Sequence, residues 1–183
     1  MSAQEWIDKS ELAELVARLS SAMDRGDREL VASCYSEESY DDHGVWRGSG
    51  REFARFICGP SALTRMHHLL GQSIFDIDGN EAWGETFFIF HGLAGTAEVS
   101  GYGRYVDYFQ KIGERWKLTY RRVVPDAAPG GDDAGAYWSS RRDRADPAYD
   151  RWRWPDEVSL CSIAETISHA EYCQRSLPGW RPQ

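Results

Sequence analysis

At 183 residues the chain is long enough for one domain with an appendage and for a sizeable buried core. Its 29 acidic residues against 21 basic ones give a net charge of -8, which argues against a protein that tracks nucleic-acid phosphates. No apolar run approaches the ~20 residues of a membrane span, and the polar start Met1-Ser2-Ala3-Gln4-Glu5 lacks the basic and apolar regions of a signal peptide. Cys34, Cys58, Cys161 and Cys173 form no CxxC pair, so neither a zinc knuckle nor a redox motif is present, and a reducing, cytoplasmic setting is the default expectation.

In chain order, Asp8-Lys9-Ser10-Glu11 has the spacing of a capping box. Leu12, Leu15, Val16, Leu19 and Met23 then fall on one face of a long amphipathic helix ending near Gly26. Asp27 is placed to cap a second, shorter helix carrying Leu30, Val31, Cys34 and Tyr35. Ser39 to Trp46, with its turn glycine Gly44, reads as a short strand and bend. Gly48-Ser49-Gly50 opens a third helix, Arg51 to about Cys58, with Phe53, Phe56 and Ile57 as its apolar face, and Pro60 stops it.

From Thr64 the pattern changes to strand. Thr64 to Ile77 turns at Asp78-Gly79, a strong hairpin signal, into Glu81 to Leu93. Ala97 to Phe109 follows, and a turn at Ile112-Gly113-Glu114 leads into Arg115 to Val124. Neighbours on a strand point to opposite faces, so one of His67 and His68 looks into the interior and the other away, and the pair does not form a joint metal site. Among the five histidines no HxxxH or HxH spacing occurs, and no phosphate-binding glycine loop is present, so neither a metal nor a nucleotide cofactor is expected. Eight Trp, nine Tyr and seven Phe are more rings than a core of this size demands. Trp83 and Phe88, in a strand crowded with aromatics, are candidate liners of a pocket for an aromatic ligand.

Helices first and a meander of long strands after them is an α+β order, with the helices covering one face of a curved antiparallel sheet. Pro125 to Gly135 is rich in Pro, Gly, Ala and Asp and reads as a linker or exposed loop. The boundary therefore falls between a domain over residues 1–125 and an extension over 126–183 that packs on the domain or on a partner subunit. Asp156 is placed to cap a last helix carrying Val158, Ile163, Ile167 and Ala170.

Several segments together resemble the SnoaL-like proteins of the nuclear-transport-factor-like superfamily: Ala22-Met23-Asp24-Arg25-Gly26-Asp27, Asp42-His43-Gly44, Met66-His67-His68-Leu69-Leu70-Gly71-Gln72, Asp76-Ile77-Asp78-Gly79, Gly103-Arg104-Tyr105-Val106-Asp107 and Trp116-Lys117-Leu118. The likeness covers roughly Glu11 to Val124, and Arg141 to Tyr149 is similar to the ending of many such chains. It implies a cone-shaped α+β barrel in which three helices and a bent sheet enclose an apolar cavity. It also implies cofactor-free lyase, isomerase or cyclase chemistry, and a homodimer or homotrimer. In the dehydrochlorinase and scytalone dehydratase branches an Asp on the first helix and a His on the first long strand form an acid-base dyad. By distance to Gln72 the matching residues are Asp24 and His68. Arg121 matches a position that helps stabilise a leaving group. With the family alignment and strand alternation, Tyr40 and Asp42 face the cavity while Asp41 and His43 face away.

A base that removes a proton from carbon needs a pKa near neutrality, which suits His68, and a carboxylate on its other nitrogen fixes the tautomer, which suits Asp24. Asp42 is a second base or a binder of a substrate hydroxyl; its bland reading is a partner for an arginine. Tyr105 and Asp107 share one strand face and Arg104 and Tyr108 the other, so only one of Tyr105 and Arg104 lines the cavity, with Tyr105 favoured. The expected activity is a cofactor-independent elimination on a small aromatic substrate: a dehydration, or loss of formaldehyde or water from a lignin-derived diaryl compound. The alternatives are a polyketide cyclase or isomerase using Asp42, and a non-catalytic ligand-binding or oxygenase-small-subunit-like protein.

Overall fold

The structure, a computed structural model, describes residues 1–43, 46–59, 63, 65–94, 96–127 and 140–149. The first helix, α1 (Ala3–Arg25), begins earlier than the Asp8 box implies: Ser2 is its cap, accepting the Glu5 N–H at 3.1 Å. Asp8 is instead a buried side chain of the helix, accepting hydrogen bonds from Lys111 Nζ at 2.7 Å and Trp116 Nε1 at 3.0 Å. Residues more than a hundred positions away took that carboxylate, which no local pattern announces. Gly26 ends α1, and Asp27 caps α2 (Arg28–Cys34) by accepting the Leu30 N–H at 3.0 Å. The third helix, α3 (Gly50–Ile57), starts on a full capping box between Ser49 and Glu52.

Six strands form one sheet: β1 (Tyr35–Asp42), β2 (Arg47–Gly48), β3 (Arg65–Asp78), β4 (Glu81–Ala94), β5 (Ala97–Ile112) and β6 (Arg115–Ala127), in the spatial order β2-β1-β6-β5-β4-β3. The last four make the expected antiparallel meander. The β1 and β6 pair, which joins the first strand to the last of the meander, runs parallel, a departure from a wholly antiparallel sheet. The fold is α+β, a curved sheet with helices on one face.

The core lies between helices and sheet. Leu12, Val16, Leu19 and Met23 of α1, Val31 of α2 and Phe53 of α3 pack on Phe75, Ala82, Tyr105, Phe109, Trp116 and Leu118. Burying side chains such as Leu12, Leu19 and Phe53 contributes roughly 1.5–3 kcal/mol each. The other face holds a smaller cluster of Tyr40, Tyr108 and Tyr120 with Trp83 against it.

Register irregularities decide which residues look inward. In β3 the pairing slips between Leu70 and Ser73, so the covered face carries His68 and Leu70 before the slip and Phe75 and Ile77 after it. In β6 the slip opposite Tyr108 and Phe109 makes Trp116 and Leu118 inward on one side, Arg121 and Val123 on the other. A third slip lies between Tyr35 and Tyr40 of β1.

Of the extension after residue 125, Asp126 and Ala127 complete β6 and residues 140–149 are described; they pack on the sheet face away from the helices. The expected helix capped by Asp156 lies outside the described residues. Among the described residues no helix is long and apolar enough to cross a membrane.

Candidate active site

Asp24 lies in the last turn of α1 and His68 near the start of β3, where helix and strand pack together. Asp24 Oδ1 meets His68 Nδ1 at 2.6 Å, and Oδ2 accepts the His68 backbone N–H at 2.9 Å. Both side chains are largely covered, His68 at 7% exposure and Asp24 at 18%. Burial pushes the Asp24 carboxyl up, but the two hydrogen bonds from His68 outweigh burial and hold it below the usual value. An ionised carboxylate only accepts, so the proton of neutral His68 sits on Nδ1 and Nε2 keeps a free lone pair. The neighbouring His67 occupies the opposite face of β3, level with His91.

Aromatic rings surround the His68 imidazole. Phe90 lies 5.0 Å from it between ring centres, and Phe88 stands edge-on at 6.3 Å. Phe88 stacks on Tyr105 at 4.4 Å, and the Arg121 guanidinium lies 3.8 Å from the Tyr105 ring centre. Gly103 admits this packing, since a Cβ there would come within 2.9 Å of the Phe88 ring. Burial pushes the Tyr105 phenol well up, so it stays a neutral hydroxyl.

Arg121 is fully buried and donates through Nε and Nη2 to both Asp107 oxygens at 2.8 and 2.7 Å. Burial opposes the guanidinium charge, and Asp107 more than restores it. The remaining nitrogen, Nη1, is buried without a hydrogen-bond partner among the described residues. Arg121 thus keeps one buried nitrogen whose N–H groups meet no acceptor among the described residues.

Beside this group stands a second His and Asp contact. Asp41 is fully buried, accepts the Tyr35 hydroxyl at 2.5 Å and contacts His43 Nδ1 through its other oxygen. His43 stacks on Phe53 at 4.3 Å and lies 6.4 Å from Tyr105.

The inward set thus comprises His68, Asp24, Arg121, Tyr105 and Phe88 of the expected residues. Four others lie on the opposite face, and strand alternation for β1 is corrected by one residue. Tyr40 stacks on Tyr120 at 5.7 Å, and Asp42 pairs with Arg47 at 3.2 Å. It is Asp41 and His43 that face inward, because the slip after Tyr35 shifts the alternation and sets Asp41 level with Arg121. Trp83 tilts against Tyr108 at 5.6 Å in the outer cluster. Arg104 is held on the outer face by Glu85, Asp126 and Asp146.

His43, Asp41 and Tyr35 were the site residues that sequence reasoning missed. The signal was available: Asp-x-His in a strand puts both side chains on one face, so the two go in or out together. Among the described residues no cluster of His, Cys, Asp and Glu is arranged to hold a metal ion.

Comparison with known proteins agrees with this architecture. The protein's fold is similar to that of a Novosphingobium aromaticivorans protein provisionally named a scytalone dehydratase, at 15% identity and a TM-score of 0.69 over 78% of this chain and 100% of that one. A hexachlorocyclohexane dehydrochlorinase, LinA Type2, matches at 11% identity and a TM-score of 0.63 over 68% of this chain and 89% of its own. A variant of Rv3472, a Mycobacterium tuberculosis protein of unknown function, matches at 19% identity and 0.63 over 94% of this chain and 90% of that one. At such identities the likeness speaks for the fold alone. No curated protein sequence matches the chain. Residues 4–122, well over half of the chain, match the SnoaL-like domain, and the chain belongs to that family.

Proposed function

We propose that the protein is a cofactor-independent lyase that acts on a small aromatic substrate by abstracting a proton from carbon and expelling a neighbouring group. The observation that carries this reading is the two-point contact of Asp24 with His68, which leaves Nε2 of a largely buried imidazole as a base. Asp24 orients the ring and stabilises the imidazolium as it forms. The partly buried Phe88, backed by Tyr105, gives an aromatic substrate a ring to lie against, and Arg121 Nη1 is a donor for developing negative charge.

The reaction in view is a dehydration, or a deformylation of a lignin-derived diarylpropane diol. In the deformylation the base takes the hydroxymethyl O–H proton, the C–C bond breaks to release formaldehyde, and its electron pair forms the C=C bond as the hydroxyl on the next carbon leaves as water. Both end in a conjugated double bond, which lowers the barrier without a cofactor. The fold is shared with proteins named as a dehydratase and a dehydrochlorinase, which is consistent with elimination. Asp42, the group a cyclase reading relied on, pairs with Arg47 on the outer face. A purely ligand-binding role gives no reason for two inward His and Asp contacts.

An assembled form, a homodimer or homotrimer, belongs to the same reading. Leu69, Ile89 and Tyr102 stand level across β3, β4 and β5 on the outer face and are 58%, 43% and 46% exposed. Thiols at Cys34 and Cys58 fit a reducing, cytoplasmic setting.

The test is incubation of the purified protein, in EDTA and without added cofactor, with a panel of hydroxylated aromatics that includes diarylpropane diols. Ultraviolet absorbance and product mass are followed together. The expected result is new conjugated absorbance with loss of water, alone or together with formaldehyde. A product isomeric with its substrate would replace the lyase reading by an isomerase or cyclase.

A further inference from the structure

Two His and Asp contacts border one aromatic stack, and only one of them is used by the reaction above. His68 touches the Phe88 side of the Phe88 and Tyr105 pair, and His43 touches the Tyr105 side. In both, the carboxylate takes Nδ1 and leaves Nε2 facing elsewhere. His43 is also held in place: its backbone N–H donates to the Trp46 carbonyl at 2.9 Å, and its ring is pinned on Phe53.

The surroundings of the two imidazoles differ in charge. His68 faces one carboxylate, Asp24. Around His43 the described elements contribute Asp41 and the Tyr35 hydroxyl from β1, Asp107 and the Tyr105 hydroxyl from β5, Arg121 from β6 and the apolar Phe53 from α3. Two buried carboxylates thus stand against one guanidinium. His43, in contact with one of these carboxylates, is the remaining side chain of the cluster with a ring nitrogen able to hold and give up a proton.

We infer that His43 is the general acid of the reaction, a second catalytic residue that delivers a proton from Nε2 to the leaving group while Asp41, anchored by Tyr35, holds the ring. The inference rests on the lyase reading and on His68 as its base. Written out for loss of water from a β-hydroxy ketone, His68 Nε2 reversibly takes the carbon-bound proton next to the carbonyl, and the C–H electron pair, held as the enolate, then becomes the new C=C bond. The C–O bond breaks toward oxygen, and the His43 Nε2 proton joins it, so water leaves. His68 ends protonated and His43 neutral, and proton exchange with solvent resets both. An acid placed in this way contributes about 100-fold to 10,000-fold when the leaving group is hydroxide, and far less when it is chloride, a stable anion.

The experiment compares an aromatic β-hydroxy ketone with its β-chloro counterpart, which give the same conjugated enone, in the wild type, His43→Gln and His68→Gln. The expected result is that His43→Gln loses at least about 100-fold more on the hydroxy than on the chloro substrate, whereas His68→Gln loses both. Equal losses on the two substrates in a His43→Gln protein that keeps the wild-type circular dichroism spectrum and urea midpoint, or no loss, overturn the acid role. If the His68→Gln protein keeps its rates, the base assignment fails instead. A second readout needs no turnover: histidine-selective ¹⁵N spectra of the resting protein report the protons on each ring nitrogen. The acid role requires protons on both nitrogens of His43, with the Nδ1 proton shifted in Asp41→Asn, and a bare His43 Nε2 contradicts it.

Discussion

Asp24 grips His68 with both carboxylate oxygens, one on the backbone N–H and one on the ring, so a single residue at the end of α1 sets the strand and the imidazole at once. Replacing it by Asn retains one acceptor but offers an N–H where the ring needs an oxygen. The ring then turns to the other tautomer, with Nε2 protonated and no longer basic. Asp24→Asn is expected to lower kcat by about 100-fold to 10,000-fold, with a near-unchanged circular dichroism spectrum, as steady-state kinetics on the substrate found in the panel will show.

The Arg121 and Asp107 pair is fully buried, and truncating one partner strands the other's charge. Arg121→Met is expected to destabilise the fold by about 3–5 kcal/mol, read as a fall in urea midpoint. Arg121→Met with Asp107→Leu should recover most of that stability. It should not recover activity, because the Nη1 donor is gone.

Arg104 and Asp146 tie residues 140–149 to the outer face through two hydrogen bonds of 2.9 Å. Burial pushes Asp146 up, but the bonds from Arg104, Arg141 and Ala148 prevail and bring it down to about 2. A carboxyl depressed on folding stabilises above its unfolded value and loses that contribution as pH falls through the folded value. The contribution, about 2 kcal/mol, is therefore complete above pH ~4 and lost as the pH falls toward 2. In Asp146→Asn that acid-dependent loss is absent, and limited proteolysis cleaves the segment faster at neutral pH. Equal acid sensitivity in the variant would remove the clasp from the account.

Gly50 opens α3 against Tyr35, and a Cβ there would sit 2.2 Å from the Tyr35 ring. Gly50→Ala must push Tyr35 aside and with it the support of Asp41. It is expected to cost about 1–3 kcal/mol in chemical denaturation and to weaken turnover, whereas Gly101→Ala, where the space is open, costs less.

How far the sequence could be read is plain from particular residues. Turn chemistry is local, so the hairpins at Gly79 and Gly113, both with positive φ, were legible, as was the Asp27 cap. The Asp24 and His68 pairing was legible through resemblance, since 44 residues separate the two. What alternation could not carry was a slip in register. Past Tyr35, Leu70 and Leu118 a residue's parity no longer tells its face, and Tyr40 and Asp42 changed sides for that reason; Trp83 lies in β4, paired with β5 without a slip, and its parity is opposite to that of the inward Phe88. Asp8 shows a second limit: its partners Lys111 and Trp116 exist only once the sheet has formed.

Proton abstraction by His68 is measured most directly by exchange of the substrate's acidic C–H for deuterium in D₂O, followed by mass spectrometry beside product formation. The account predicts exchange and elimination in the wild type, both retained in His67→Ala, whose side chain lies on the other face, and both lost in His68→Ala. Exchange that continues at the wild-type rate in a folded His68→Ala protein would contradict it.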